Sequence, residues 1–105
     1  MIITLTANPS VDLTLELDTF TTGEVNRSTG KHKDPAGKGI NVARALHKNS
    51  INTAAVFPSD ATVGSWIESA LSEVGIQTVT TRIAEEVRQN ITIVDAHGDT
   101  TKINE

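Results

Sequence analysis

A lysine between two glycines gives this sequence its best candidate for an anion-binding site. Residues 35–41 read Pro-Ala-Gly-Lys-Gly-Ile-Asn and lead directly into an amphipathic stretch at 42–46, which predicts the start of a helix. The first N–H groups of a helix have no partner inside it, and the helix dipole makes that end partly positive, so phosphate or sugar oxygens bind there favourably. Gly37 and Gly39 allow a ligand to approach the backbone, and Lys38 adds a positive charge.

This glycine-lysine segment is not a nucleotide P-loop. A P-loop needs Gly-Lys followed by Ser or Thr, whereas Lys38 is followed by Gly39. Two glycines before a helix also occur as a simple tight turn, and the motif taken alone leaves that interpretation open.

Two further polar candidates come from segments that read as strands. Residues 11–18 alternate strictly between apolar and polar, which puts Asp12 on the polar face of a strand. Arg88 and Asn90 lie in a second such segment, which continues to a hairpin turn at His97-Gly98-Asp99. Each candidate also has an ordinary interpretation, since Asp12, Lys38 and Arg88 could be solvated surface residues and Asn41 a helix cap.

The remaining pattern predicts an α/β sheet. A short apolar run at 1–7 is typical of a strand buried on both faces, residues 53–57 form a second strand closed by Pro58, and residues 76–80 form a third. Residues 62–74 repeat with helical period, with Asp60 or Thr62 as the cap and Gly75 as the stop. Such alternation gives a parallel sheet with right-handed crossovers, and ligands bind beyond the carboxyl ends of its strands. Residues 11–33 and 88–105 do not fit this sheet and read as half-exposed antiparallel strands.

Composition excludes several function classes. A net charge of −4 and 3% aromatic residues argue against a nucleic-acid-binding surface. No apolar run reaches membrane-spanning length, and the absence of cysteine together with the absence of a secretory signal predicts a cytoplasmic protein. The three histidines show no metal-ligand spacing, so we assign no metal site. No linker or second domain is visible, which predicts at most one compact unit.

Several motifs together resemble the N-terminal part of the PfkB, or ribokinase-like, family of carbohydrate kinases. They are Asn-Pro-Ser-Val-Asp at 8–12, Val-Asn-Arg at 25–27, Gly-Lys-Gly-Ile-Asn-Val at 37–42, Val-Arg-Gln-Asn-Ile-Thr-Ile at 87–93, and the closing strand at 99–105. They follow the family's order and span the whole chain. One departure is Ala36, where the family commonly has another glycine; alanine is small, but a positive φ there would be costly.

The resemblance implies a ribokinase-like α/β fold, with an α/β part at about 1–8 and 36–84 and a small β lid formed by strands at about 11–33 and 88–105. It also implies that the lid pairs with a second subunit in a homodimer. The implied substrate-binding residues are Asp12 for the sugar hydroxyls, the Gly37–Gly39 backbone and Asn41 near the sugar ring, and Arg88 and Asn90 on the phosphate side, with positive charge added by Lys38 and Arg27.

The implied reaction is phosphoryl transfer from ATP, with Mg²⁺, to a ketose phosphate. Within the family, the segments at 25–27 and 101–105 look most like kinases of fructose 1-phosphate, with kinases of tagatose 6-phosphate and fructose 6-phosphate as near neighbours. The family's catalytic base lies in a Gly-x-Gly-Asp motif that this sequence does not contain. We therefore expect the chain to carry the acceptor-sugar half of the site and to be inactive alone. A non-catalytic sugar-phosphate-binding module, or a fragment that only self-associates, remains open as an alternative.

Overall fold

The computed structural model describes all residues from 1 to 105. It contains seven strands and two helices, which we number in chain order. They are β1 (Ile2–Leu5), β2 (Ser10–Leu17), β3 (Gly30–Ala36), α1 (Lys38–Lys48), β4 (Thr53–Ser59), α2 (Val63–Glu73), β5 (Gln77–Arg82), β6 (Arg88–Asp95) and β7 (Thr100–Asn104). Neither helix is long and apolar enough to cross a membrane.

The chain divides into two compact units, so the expectation of at most one unit does not hold. The first, which we call the helix unit, comprises Met1–Val11 and Pro35–Arg88. The second, the strand unit, comprises Asp12–Asp34 and Gln89–Glu105. The division follows from the two sheets, because β1, β4 and β5 form one sheet and β3, β2, β6 and β7 form the other.

The helix unit has a parallel sheet in the order β1-β4-β5, with both helices on one face. Ala55 and Phe57 alternate along β4, and both belong to the same buried cluster as residues of both helices. The members of that cluster are Val11, Ile40, Ala43, Ala55, Phe57, Ile67, Leu71, Ile76 and Val87. The predicted wound sheet of strands and helices is therefore present, and its core is aliphatic except for Phe57.

The opposite face of this sheet is open, and here the prediction for β1 is wrong. Ile3 and Leu5 are 67% and 72% exposed, and Val79 on β5 is 51% exposed, whereas a strand buried on both faces was expected. The physical reason is that β1 is an edge strand whose helix-facing side carries Ile2 and Thr4, so Ile3 and Leu5 point to the uncovered face.

Pro58 lies inside β4 and does not close it, because the strand continues to Ser59. Proline is tolerated there because the pairing of β1 with β4 ends at Leu5 and Val56, whereas the pairing with β5 continues to Ser59 and Arg82. Pro58 therefore occupies a stretch of β4 with only one neighbouring strand, where a missing N–H can be accommodated.

The start of α2 is organised by the buried carboxylate of Asp60. Its Oδ2 accepts hydrogen bonds from the backbone N–H groups of Thr62 (2.9 Å) and Val63 (3.0 Å) and from the Thr62 hydroxyl (2.8 Å). Its Oδ1 accepts from the N–H groups of Gly64 and Val87, both at 2.8 Å. Burial alone would raise the pKa of Asp60, but the bonds from Val87, Thr62 and Gly64 outweigh it and hold the pKa below its ordinary value. Of the two predicted caps, Thr62 holds the N-cap position without a capping bond from its own side chain, and Asp60 supplies the side-chain oxygens that accept from the start of α2.

The strand unit is a four-stranded sheet in the order β3-β2-β6-β7, with β6 and β7 antiparallel. The predicted turn at 97–99 is present: Asp95 Oδ1 accepts hydrogen bonds from the N–H groups of His97 and Asp99, each at 2.9 Å, and Gly98 takes a positive φ of 86°. These bonds stabilise the tight reversal, since an aspartate side chain commonly accepts from its own turn.

The open sheet face leads to a first prediction. The isolated 105-residue chain is expected to associate with itself in a concentration-dependent way, because each large apolar side chain contributes about 1.5–3 kcal/mol when it becomes fully buried. Replacing Ile3, Leu5 and Val79 together by threonine should weaken this association, measured by sedimentation velocity. Val25→Thr is the control, since Val25 is 82% exposed but belongs to the strand unit and not to this sheet. A wild-type chain that stays monomeric at all concentrations would contradict this.

Asp60 leads to a second prediction, on acid stability. Because the pKa of Asp60 is lower in the folded than in the unfolded protein, its stabilisation is complete well above the ordinary value of 3.8 and is lost as the pH falls below that value. Asp60→Asn should lower the free energy of unfolding by about 2–3 kcal/mol at pH 7, and this difference should shrink on acidification. Chemical denaturation at several pH values measures it, with Asp99→Asn as an exposed-carboxylate control. A difference that is independent of pH would argue against this role.

Candidate functional site

A cavity of about 380 Å³ opens in the helix unit where β1 ends and α1 begins. This volume lies within the range of about 300–1,000 Å³ that is usual for small-molecule sites. Its position agrees with the general rule that parallel α/β sheets bind ligands beyond the carboxyl ends of their strands. The residues that line it are Leu5, Thr6, Ala7, Asn8, Gly37, Lys38, Gly39 and Arg88.

Gly37 creates the open helix start at this cavity. It is the N-cap of α1, with φ 125° and ψ 150°, a conformation that is essentially restricted to glycine. A Cβ at this position would lie 2.6 Å from Thr6 Cγ2. No side chain caps α1, and the first intrahelical bond runs from the Asn41 N–H to the Gly37 carbonyl. The N–H groups before Asn41 therefore remain available to an anion.

Gly39 brings α1 against the end of β1. A Cβ there would collide with the Thr6 hydroxyl and would lie 2.6 Å from the Leu5 carbonyl oxygen. Since no other residue lacks a Cβ, glycine is required for this close approach. Ala36, just before the turn, is buried and has no positive φ, so the alanine is accommodated without strain.

The charge of the cavity lining is positive. Lys38 and Arg88 both line it, and none of its lining residues is acidic. Arg88 is half-buried, and its Nε is buried without a hydrogen-bond partner, as is the Thr6 hydroxyl. A half-buried guanidinium with an N–H that no protein group satisfies is a costly arrangement. An anion in the cavity would offset that cost through charge-assisted bonds.

Asp12 and Asn90 contact each other in the strand unit. The Asn90 amide nitrogen donates to Asp12 Oδ1 over 3.4 Å, a long hydrogen bond, and both side chains are half-buried. Asn90 Oδ1 is buried without a partner. A carboxylate beside an amide is a suitable pair for binding neighbouring sugar hydroxyls, and that role stays a prediction for both residues.

The other two sequence candidates lie elsewhere. Asn41 is exposed in the first turn of α1 and lines a separate, shallow groove with Arg44, Ala45 and Lys48. Its interpretation as a helix cap is wrong, because the helix begins earlier and Gly37 holds the cap position. Arg27 is exposed in the connection between β2 and β3. Ligand binding by Asn41 and Arg27 stays a prediction.

Sequence reasoning missed the cavity residues supplied by the end of β1, which are Leu5, Thr6, Ala7 and Asn8. The available signal was their place after a predicted parallel strand, since ligands bind at that edge. No group of three or more histidine, aspartate or glutamate side chains in the chain could hold a metal ion.

Comparison with known proteins gives a consistent result. Residues 5–105 match the model of the pfkB family of carbohydrate kinases. The chain is 36% identical over 104 residues to 1-phosphofructokinase of Bacillus subtilis strain 168, covering 99% of this chain and 34% of the relative. It is also 36% identical over 105 residues to tagatose-6-phosphate kinase of Staphylococcus epidermidis strain RP62A, covering 100% and 34%. The chain thus spans about a third of the length of these relatives.

A solved structure gives the same picture for the fold. Phosphofructokinase-2 from Escherichia coli in complex with fructose-6-phosphate superposes with a TM-score of 0.90 at 28% identity, over 99% of this chain and 35% of that one. A tetrameric inhibited form of the same enzyme has also been solved. The predicted ribokinase-like α/β fold is thereby confirmed.

The geometry at Gly37 leads to a third prediction. Gly37→Ala should lower the free energy of unfolding by about 1–3 kcal/mol, because the alanine must adopt a glycine conformation and meets Thr6. It should also weaken binding of inorganic phosphate, measured by NMR titration. Gly98→Ala is the matched control: its φ of 86° is also positive, but nothing lies within 4 Å of its Cβ position, so only stability should fall. Equal phosphate affinity in both variants would contradict the anion site.

Proposed function

Because the chain belongs to the pfkB family of carbohydrate kinases, we propose that it forms the acceptor-sugar-binding part of an ATP-dependent ketose-phosphate kinase. We propose fructose 1-phosphate as the acceptor, phosphorylated at its 6-hydroxyl to fructose 1,6-bisphosphate. The observation that carries the proposal is the cavity at which the Gly37–Gly39 turn, Lys38 and Arg88 meet. We also propose a cytoplasmic location, because a chain without cysteine has no disulfide that would need an oxidising compartment.

Arg88 and Lys38 are the phosphate-binding groups in this proposal. A guanidinium offers forked donors that match phosphate oxygens, and an ammonium adds a compact charge. The open N–H groups at the start of α1 complete the site for the substrate's oxygens. A positively charged lining without acidic residues supports a phosphorylated over an unphosphorylated sugar.

The proposal also gives roles to residues of the strand unit. Asp12 and Asn90 are proposed to hold the sugar hydroxyls, where a carboxylate accepts and an amide donates. Arg27 is proposed to add positive charge, and Asn41 to contact the sugar. We also propose that the strand unit acts as the lid and pairs with a second copy, which is supported by the wholly exposed β7 with Ile103 53% exposed.

ATP and Mg²⁺ are assigned to residues outside this sequence. The chain contains no Gly-x-Gly-Asp motif and no group of side chains that could hold a metal ion. When bound, ATP would supply the phosphoryl group, while the residues of this chain bind and orient the acceptor and neutralise its phosphate.

A second acceptor is supported by a specific likeness. The chain has the same 36% identity to tagatose-6-phosphate kinase of Staphylococcus epidermidis as to 1-phosphofructokinase of Bacillus subtilis. The Escherichia coli phosphofructokinase-2 structure is a complex with fructose-6-phosphate. These acceptors carry their phosphate at the opposite end of the ketose, so they would bind in a different orientation. A non-catalytic sugar-phosphate-binding module would use the same cavity without ATP.

The fourth prediction tests this function in the full-length protein that contains this chain. ATP-dependent phosphorylation is expected, with kcat/KM highest for fructose 1-phosphate among the three ketose phosphates. Arg88→Ala should raise KM for the phosphorylated acceptor about 100-fold, which corresponds to about 2.7 kcal/mol of lost binding. Arg82→Ala, an exposed arginine at the end of β5, is the control and should leave KM unchanged.

Three results would decide between the alternatives. Sugar-phosphate binding without any ATP-dependent transfer would favour the binding module. A higher kcat/KM for tagatose 6-phosphate or fructose 6-phosphate would reassign the acceptor. An Arg88→Ala variant that loses as much activity on an unphosphorylated ketose as on fructose 1-phosphate would contradict the phosphate role of Arg88.

A further inference from the structure

The Asp60 carboxylate has more hydrogen-bond donors than a helix cap requires. Four of its five donors belong to the first turn of α2 or to Thr62. The fifth is the N–H of Val87, which is 27 residues further along the chain and follows β5. Asp60 itself is only 4% exposed, so this bond lies in the interior of the helix unit.

The bond to Val87 fixes the residue that precedes Arg88. The connection from β5 to β6 runs over residues 83–87, of which 84–86 are exposed. Ile83 N–H donates to the Ser59 carbonyl at 3.2 Å, which ties down the start of the connection. At its end, Val87 is held twice, by its buried side chain in the core cluster and by its N–H on Asp60 Oδ1.

Arg88 therefore enters the cavity from a backbone position set by Asp60. Its guanidinium is half-buried, with Nε fully enclosed and unpaired, so the side chain has little room to compensate for a backbone shift. A displacement of about 1 Å in a binding group can cost on the order of 100-fold in rate. The orientation of Arg88 thus depends on a carboxylate that does not line the cavity.

We propose that Asp60 is a positioning residue for Arg88, which it holds in place for the substrate's phosphate through the Val87 N–H. This inference rests on the proposed function, since it assigns the phosphate to Arg88. The two carboxylate oxygens of Asp60 have different roles. Oδ2 accepts only from the start of α2, whereas Oδ1 accepts from both Gly64 and Val87 and so connects α2 to the residue before Arg88.

The test uses steady-state kinetics of the full-length enzyme with fructose 1-phosphate. Asp60→Asn replaces one acceptor oxygen by a donor, so the side chain can no longer serve both partners, and KM should rise about 10- to 100-fold with kcat changed by less than about threefold. Thr62→Val is the matched control, because it removes only the hydroxyl bond to Oδ2 and leaves the Val87 bond intact. Thr62→Val should lower the melting temperature and leave KM unchanged.

A second variant keeps the inference testable where Asp60→Asn does not fold. Asp60→Ser retains a hydroxyl that caps helices well but is too short to reach Val87, so it should raise KM as Asp60→Asn does. Hydrogen exchange of the Val87 amide, measured without ligand, should accelerate in either Asp60 variant and not in Thr62→Val. Unchanged Val87 exchange in a folded Asp60 variant overturns the inference.

Combining Asp60→Asn with Arg88→Ala separates positioning from general destabilisation. If Asp60 acts through Arg88, the double variant should have the KM of Arg88→Ala alone, whereas independent effects would multiply. Multiplied effects, or an equal rise of KM in Thr62→Val, overturn the inference. Failure of the proposed function is a distinct result: Arg88→Ala itself would then leave KM unchanged, whereas failure of the inference alone leaves the Arg88→Ala effect in place and removes that of Asp60→Asn.

Discussion

The close approach of α1 to the end of β1 is the constraint on which the candidate site depends. At Gly39 the helix lies so near the Leu5 carbonyl and the Thr6 hydroxyl that a single added carbon has no room. At Gly37 the backbone adopts a conformation that side chains exclude. Together they expose the helix start directly at the carboxyl edge of the sheet. The cavity with Lys38 and Arg88 around it is a consequence of this backbone geometry more than of any polar side chain.

A second constraint connects distant parts of the helix unit. Asp60 is buried in its charged form because five hydrogen bonds replace the water that it loses. If Asp60 only capped α2, the free-energy cost of burying its charge would be hard to explain, because serine or threonine caps a helix without a charge. The additional bond to Val87 gives the charge a structural reason, because it joins the start of one helix to the strand that carries Arg88.

The sequence was informative where a local pattern determines the structure. The helical period at 62–74 predicted α2, and Gly75, with φ 91°, ends it as expected. The turn at 97–99 was predictable because glycine and aspartate are typical turn residues: Gly98 adopts the positive φ, and Asp95 accepts the hydrogen bonds of the turn. The Gly-Lys-Gly motif indicated the cavity, and the match over residues 5–105 confirmed the family.

Other features depended on partners that are distant in the chain. Nothing local in the run at 1–7 tells that Ile3 and Leu5 lie on an uncovered face of an edge strand. The capping role of Asp60 was predictable from its place just before α2. Its hydrogen bond with the Val87 N–H was not, because the two residues are 27 positions apart in the chain. The alternative interpretation of Asn41 as a helix cap was wrong for a different reason, because the glycine that holds the cap position has no side chain by which a cap could be recognised.

Pro58 limits how far β4 can pair with β1. The N–H groups of Ile2 and Thr6 donate to the carbonyls of Asn52 and Val56, so the even-numbered carbonyls of this stretch face β1. In a parallel ladder the residue two positions beyond Val56 would donate its N–H back to the first strand, and that residue is Pro58, which has no N–H. The hydrogen-bonded pairing of β1 with β4 therefore ends here, and residues 6–8 leave the sheet. A proline in the central strand thus coincides with the end of the backbone pairing, where the chain after β1 lines the cavity.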